Sequence, residues 1–251
     1  MGFESIAAID WSSFPRPWRP HPLRDVAEQL QALAEAATLN QAADAMTALL
    51  DSALIDDLEN DVLPAAVAAA PILLDIVERG HPRACSAAID LLWEMLDLPP
   101  ASEFSRVDAT QTSGFRLCCA IADHIRDRRG MLRVHGQSGQ ELLTAADRHW
   151  RFTVQEVVAA DGDGVMVFGT LTGQLPKRSC EAELHSGRTI VAVPAVEAEY
   201  GGADEDGAAF VRLLRTARSA VAPGAVLRPT DCVRTGAELV GSLWSRTVRR
   251  A

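Results

Sequence analysis

Apolar residues recur at intervals of three and four along the first part of the chain, and this spacing predicts helices. In residues 23–37 it places Val26, Leu30 and Leu33 on one stripe, as in an amphipathic helix packed against a core. The same period predicts helices over residues 41–55, 62–77, 82–96, 115–129 and 139–146. Residues 99–113 lose the period and are predicted to form a loop.

Two residues mark expected interruptions of this helical pattern. Pro71 lies inside the helix predicted over residues 62–77. Proline lacks an amide hydrogen and its ring collides with the preceding turn, so we expect a kink or a split there. Gly80 is predicted to follow the end of that helix as its C′ residue, a position that glycine favours.

The hydrophobic period changes near Trp150, which predicts a second, β-sheet part. Residues 152–160 and 165–171 alternate between apolar and polar positions around the turn cluster Asp161-Gly-Asp-Gly164, a pattern typical of a β-hairpin. Further short strands are predicted over residues 181–184, 188–193, 208–214 and 225–227. Several short strands with glycine turns predict a small antiparallel barrel. We therefore expect a helical domain over residues 1–148, a β-barrel over 149–230 and a tail over 231–251 that could be helical.

The helical part resembles HEAT repeat proteins. The run Pro64-Ala-Ala-Val-Ala-Ala-Ala-Pro71, followed by Gly80-His-Pro-Arg-Ala-Cys85, is similar to a HEAT repeat. The opening Ile9-Asp-Trp-Ser-Ser-Phe14 is similar to the start of bacterial HEAT-like proteins. The resemblance covers about residues 9–130 and implies a short, irregular α-solenoid, in which each helical hairpin buries its apolar face against its neighbours.

The second part resembles domain II of the translational GTPases, the β-barrel of elongation factor Tu and its relatives. The family pattern F-x-V-x-D-V-F-x-I-x-G-R-G-T-V-V-x-G-R-V-x-x-G is similar to the segment that starts at Phe152-Thr-Val-Gln-Glu156. Its glycines recur here in the same order, at Gly162, Gly164, Gly169 and Gly173. The resemblance covers about residues 150–229 and implies a domain II-like barrel. Asp163 departs from the pattern, because it replaces an arginine and reverses the charge.

The resemblance also implies a candidate binding pocket. In elongation factor Tu this barrel holds the terminal adenosine and aminoacyl group of a charged tRNA. By resemblance, the pocket positions are Ala160, Met166, Glu197 and Leu213. Glu197 keeps the acidic residue of the pocket and Leu213 keeps an apolar wall. The alternative is that Glu197 merely ends a strand and the other three side chains fill the barrel core.

Charge narrows the class of partner. The chain has a formal net charge of −10, and residues 1–150 hold all of the excess acid, with 22 Asp and Glu against 12 Arg. Phosphate binding requires positive charge, so this part is expected to bind a protein and not to wrap a nucleic acid. The alternative is that the acidic side chains only keep the surface soluble.

Motifs for catalysis and metal binding are missing from the sequence. It contains no G-x-x-x-x-G-K-[ST], so no GTP binding is expected, and HExxH and GxSxG are missing too. The five cysteines form no C-x-x-C, and Cys118 and Cys119 are predicted to lie mid-helix with at least one thiol in the core. We expect no enzyme activity, no cofactor and no metal.

The start of the chain contains a candidate aromatic arm. Trp11, Phe14 and Trp18 alternate with prolines, a composition suited to an exposed recognition arm. The alternative is a strip that packs over the first helical hairpin. This segment has no apolar leader, and no stretch approaches the ~20 apolar residues that span a bilayer, so we expect a cytoplasmic protein without a membrane partner.

Together these observations predict a non-enzymatic binding or adaptor protein. Its helical domain would bind a protein partner, and its barrel would bind a protein or an RNA of the translation apparatus. The alternative is an immunity or antitoxin-like protein that sequesters a toxin through its acidic helical domain. A gene for a toxin beside this one would favour the alternative.

The pocket resemblance makes a prediction about nucleotides and RNA. We expect no measurable GTP binding, and weak, salt-sensitive binding of tRNA or ribosomal RNA at most. Phosphate binding needs several Lys or Arg, whereas Asp163 replaces a cation of the family pattern and the acidic residues 204–206 add negative charge to the same domain. If the pocket works, Glu197→Ala should abolish any preference for aminoacylated over free tRNA without unfolding the protein. Filter binding at two salt concentrations measures both effects, and tight binding that ignores Glu197 would place the RNA elsewhere.

Overall fold

The computed structural model describes residues 4–15, 25–56, 59–101, 104–107, 114–161, 164–199 and 207–230. The predicted tail over residues 231–251 lies outside these residues. The helices are α1 (Glu4–Ala7), α2 (Val26–Glu35), α3 (Leu39–Leu50), α4 (Ala65–Arg79), α5 (Pro82–Asp97), α6 (Leu117–Asp127), α7 (Arg129–Arg133) and α8 (Gly136–Asp147). Two short hairpins lie between them, β1 (Ile55–Asp56) with β2 (Asp61–Val62), and β3 (Arg106–Val107) with β4 (Phe115–Arg116). The strands that follow are β5 (Arg151–Asp161), β6 (Gly164–Thr172), β7 (Cys180–Ser186), β8 (Thr189–Glu199), β9 (Ala208–Leu214) and β10 (Val226–Pro229).

The helices begin where local capping chemistry allows it. The Asp25 side chain accepts a hydrogen bond from the Glu28 amide at the start of α2. Thr38 and Gln41 form a reciprocal capping box at the start of α3. The helix predicted from residue 115 starts at Leu117 instead, because the two residues before it pair with β3.

The predicted interruptions at Pro71 and Gly80 differ from the structure. α4 is not split, since it continues through Pro71 from Ala65 to Arg79. Gly80 is the C-cap of α4 and has φ −76°, so it does not adopt the left-handed conformation of a C′ glycine. Glycine is required there for another reason, because a Cβ would lie 2.5 Å from the carbonyl oxygen of Ile76.

The helical core is built around the α4–α5 hairpin. This hairpin contacts α2 and α3, and it also contacts α6 and α8. Its apolar stripe is fully buried; the stripe includes Leu73, Leu74, Leu91 and Leu92. Alanines along both helices, such as Ala66 and Ala88, are also buried and let the helices approach closely. Among the described residues, every helix is too short or too polar to cross a bilayer.

The predicted antiparallel barrel is confirmed. Its six strands close in the order β10-β5-β6-β9-β8-β7, with β10 paired to both β5 and β7. Trp150 and Phe152 are its largest fully buried side chains, and alternate residues of the surrounding strands fill the remaining core. Register shifts between Val154 and Glu156 and between Val157 and Ala159 mark two irregularities in β5.

Asp123 of α6 joins the helical part to the barrel. Its carboxylate bonds Arg126 on the same helix and Arg228 of β10, and it also lies 3.4 Å from Arg151 of β5. Arg228 is 3% exposed. Its second guanidinium nitrogen lies 3.5 Å from the Cys119 carbonyl. A cation this deeply buried needs a nearby carboxylate, so these contacts fix the position of β10 against α6.

Glu183 of β7 forms the second connection. Arg106 of β3 donates two hydrogen bonds to this carboxylate, at 2.9 and 2.6 Å, and Arg116 of β4 donates a third at 3.1 Å. Between the two carboxylates, the Phe115 ring lies 4.2 Å from the Arg228 guanidinium and 5.0 Å from the His185 ring. The β3–β4 hairpin and α6 therefore dock on the wall of the barrel formed by β7 and β10.

Close strand approach at Gly169 generates a prediction about stability. A Cβ at this position would lie 2.0 Å from the carbonyl oxygen of Thr153, so Gly169→Ala forces β5 and β6 apart. We expect a loss of about 2 kcal/mol or more in the free energy of unfolding. Gly130→Ala in α7 is the matched control, because nothing lies within 4 Å of its added Cβ. It should be neutral or stabilise by about 0.5–1 kcal/mol, and equal stability of the two variants in urea would refute the argument.

The ion pairs of Asp123 predict acid sensitivity. Burial raises the pKa of this carboxyl, but the charges of Arg228, Arg126 and Arg151 outweigh burial and lower the pKa below its ordinary 3.8. Its contribution to stability is therefore complete above about pH 4 and is lost as the pH falls through the lowered value. His185 adds to this acid sensitivity, because burial lowers its pKa below the ordinary 6.5. The unfolded chain therefore takes up this proton at a higher pH than the folded chain, and stability falls as the pH drops below about 6.5.

Asp123→Asn tests this coupling by urea denaturation across pH 3–7. The variant should lose about 3 kcal/mol at pH 7, because Arg228 is left buried without its partner. It should also lose stability less steeply than the parent chain below pH 4. Asp44→Asn, an exposed carboxylate on α3, is the control and should keep the parent pH profile. If the stability of Asp123→Asn falls below pH 4 as steeply as that of the parent chain, Asp123 is not the source of the acid sensitivity.

Candidate functional site

Strand alternation directs a set of large side chains away from the barrel core. In β6, Val165 and Val167 are buried in the core, so Met166 and Phe168 face outward. In β9, Val211 and Leu213 are buried, and Phe210 and Arg212 face outward in the same way. Because β6 and β9 are hydrogen-bonded neighbours, these four outward side chains share one surface.

The strand registers arrange this surface in two rows. In the first row, Phe168 pairs with Phe210, Glu156 of β5 lies on one side and Glu199 of β8 on the other. The two rings stand 4.9 Å apart at 45°, a tilted aromatic contact. In the second row, Arg212 of β9 pairs with Met166 on one side and with Glu197 of β8 on the other. We call this surface the outer patch; it comprises Glu156, Met166, Phe168, Glu197, Glu199, Phe210 and Arg212.

Part of the apolar surface of this wall is exposed to solvent. Phe210 of β9 is 40% exposed. Val158 is 47% exposed and lies at a register shift of β5, the strand on the other side of β6. A bulge adds a residue to one strand, and here it turns a branched apolar side chain outward. An exposed aromatic residue such as Phe210, beside other apolar side chains and bordered by carboxylates, is typical of a contact surface for another molecule.

The four residues of the predicted pocket are divided by the barrel wall. Met166 and Glu197 lie together on the outer patch, where both border Arg212. Leu213 is fully buried in the core. Ala160 pairs with Val165 through the backbone, and its side chain lies outside the described residues. The structure therefore brings two of the four side chains onto one surface.

The candidate aromatic arm packs against the helices. Trp11 and Phe14 are half-buried against the helical core, and their rings are 6.0 Å apart. The indole nitrogen of Trp11 donates a hydrogen bond to the Ile6 carbonyl at 3.0 Å. These two rings therefore cover part of the helical core. Trp18 lies outside the described residues.

A cleft of about 400 Å³ opens where α8 meets the barrel, and Arg148, Trp150, Cys180 and Glu181 are among its lining residues. Burial raises the pKa of Cys180 to about 11, so its thiol stays protonated near neutral pH. A protonated thiol is a weak nucleophile. The cleft therefore presents no activated cysteine.

Three potential metal ligands meet beside the helix–barrel connection. Among the described residues, Cys118, Cys119 and His149 form a cluster whose ligand atoms all lie within 4.8 Å of one another. The two cysteines occupy the first turn of α6, not the middle of a helix as predicted, because α6 starts at Leu117. His149 lies between α8 and β5.

Comparison with known proteins leaves the family open. No protein-family model matches the chain, and no curated protein matches it.

Sequence reasoning did not select the aromatic pair of the outer patch. Phe168 and Phe210 occupy positions that alternate with valines in two predicted strands, and this alternation was the available signal. To place the two rings outside, one must know which alternate positions of each strand face the core, and the buried valines establish this.

Proposed function

We propose that this chain is a non-enzymatic binding protein whose barrel docks a basic, partly apolar segment of a protein partner. The observation that carries the proposal is the outer patch. It combines an aromatic pair, the half-buried Phe168 and the exposed Phe210, with carboxylates at the neighbouring positions of β5 and β8.

The two kinds of side chain have separate roles in this proposal. Aromatic rings bury a large apolar area at low entropic cost, and such residues commonly dominate the binding energy of an interface. The carboxylates Glu156, Glu197 and Glu199 attract lysine or arginine and speed the encounter. They also disfavour a nucleic-acid backbone on this surface, since phosphates carry the same sign of charge.

We also infer a two-part adaptor in which the helices form a short HEAT-like stack and the barrel is domain II-like. The contacts of the α4–α5 hairpin with α2 and α3 and with α6 and α8 support the stack. The closed barrel supports the likeness to domain II. Two glycines of the shared pattern support it as well, because a Cβ at Gly164 or Gly169 would lie 2.9 or 2.0 Å from a backbone oxygen. A basic protein of the translation apparatus fits this combination as a partner.

The alternative function uses the acidic helices instead. Glu28 and Glu35 of α2 and Asp44 of α3 are exposed to solvent. An immunity or antitoxin-like protein would hold a basic toxin against such carboxylates. Binding there would be independent of the aromatic pair, so variants of the two surfaces separate the two functions.

The direct test uses a defined peptide and the full chain. The peptide is an amphipathic strand that alternates arginine with leucine, and fluorescence anisotropy measures its affinity. Phe210→Ala should weaken binding about tenfold or more, because it removes the most exposed ring of the outer patch. Glu199→Gln should weaken binding less, with an effect that shrinks as salt is raised.

Two controls make the outcome decisive. Ile190→Ala removes a 39% exposed apolar side chain from β8 outside the outer patch and should leave the affinity unchanged. A peptide with glutamate in place of arginine should not bind. Affinity that survives Phe210→Ala but falls in a combined Glu28→Gln and Asp44→Asn variant would replace the proposal with the alternative function.

A further inference from the structure

The Cys118, Cys119 and His149 cluster has the donor set of a transition-metal site. Its three ligand atoms lie within 4.8 Å of one another. The three side chains are 2%, 0% and 3% exposed. In a tetrahedral zinc site, metal bonds of about 2.0–2.3 Å leave neighbouring ligand atoms about 3.5–3.8 Å apart. Side-chain movements of about 1 Å would therefore complete the geometry.

His149 is an unusual core residue. In the described part of the chain, its Nδ1 atom is buried and has no hydrogen-bond partner. Buried polar atoms are normally paired, so an unpaired imidazole nitrogen in the core calls for a physical explanation. Its backbone is held firmly, because Arg126 donates hydrogen bonds to the carbonyls of His149, at 2.9 Å, and of Ala146.

We propose that the two thiolates and a ring nitrogen of His149 bind one thiophilic divalent metal ion, Zn²⁺. Sulfur and imidazole donors favour this ion over magnesium or calcium, which prefer oxygen. Binding releases the two thiol protons, and the two thiolate charges then neutralise the metal charge. With three protein ligands, the fourth position is left for water or another small ligand.

The placement of the cysteines favours this chemistry. Cys118 and Cys119 are the second and third residues of α6, where the partial positive charge of a helix N-terminus stabilises thiolates. Adjacent helical residues point about 100° apart, so both sulfurs can reach one ion only if it lies beside the helix end between them. His149 approaches from the α8–β5 junction, so the metal would tie α6 to the start of the barrel.

The test is metal binding by the full-length chain after removal of metal under reducing conditions. Titration with Co²⁺ should give one equivalent bound and the charge-transfer absorption of two cobalt–thiolate bonds. Zn²⁺ should displace the cobalt and abolish that absorption. Cys118→Ser should halve the absorption per cobalt, and His149→Ala should weaken Zn²⁺ binding by about 100-fold or more, since it removes a direct ligand.

Matched controls are available in the same chain. Cys85→Ser replaces a buried cysteine of α5, and His124→Asn replaces a histidine of α6 one turn beyond the cluster. Both should bind cobalt as the parent does. If the cluster variants fail to fold, X-ray absorption of the zinc-loaded parent still decides, with two sulfur ligands and an imidazole expected. Failure of the parent to bind either ion, or equal losses in the control variants, would overturn the proposal.

Discussion

The contact between Arg228 and Asp123 is the constraint on which the arrangement of this molecule depends. Arg228 is buried where the last described strand crosses α6, and the carboxylate of Asp123 compensates its charge. On the neighbouring strand β7 the charges are reversed, because Glu183 is the buried group and Arg106 of β3 compensates its charge. Replacing such a pair with apolar residues can leave stability unchanged, whereas losing one partner is costly. Buried pairs of this kind specify which surfaces meet more than they stabilise the fold.

This constraint also determines which wall of the barrel is available for binding. The strands that meet the helices, β7 and β10, are adjacent in the closed order. β6 and β9 lie halfway around the barrel from them. The outer patch therefore faces away from the helical part, and a partner docked on it would leave the ion pairs of α6 and the cysteine cluster undisturbed. The proposed binding surface and the proposed metal site are physically separate in this arrangement.

Local signals in the sequence predicted most of the elements, and longer-range packing decided the remainder. Apolar periodicity identified α2 to α6 and the six barrel strands, because each element buries one face. Pro71 was expected to kink or split α4; the helix is not split, because the flanking residues are packed into the core. The start of α6 was misplaced because Phe115 and Arg116 pair with residues eight and ten positions earlier in a hairpin.

The candidate sites were harder to predict than the fold. Family resemblance selected Met166 and Glu197, which share the outer patch, but it also selected Leu213, which faces the core. His149 lies thirty residues after Cys119, so no spacing motif could join them. Only the packing of α6 against α8 brings these two residues together. Chemistry that depends on tertiary contacts leaves little trace in a single sequence.

Closure of the barrel by β10 has a consequence for biosynthesis. β10 pairs with β5, which starts about 75 residues earlier, and it carries Arg228. Until the ribosome has released this strand, β5 and β7 keep unpaired edges, which are templates for association with other chains. The helical hairpins have mostly local contacts and can compact much sooner. The late strand β10 thus both closes the sheet and supplies the cation for Asp123. The nascent chain is most vulnerable to misassembly just before β10 emerges.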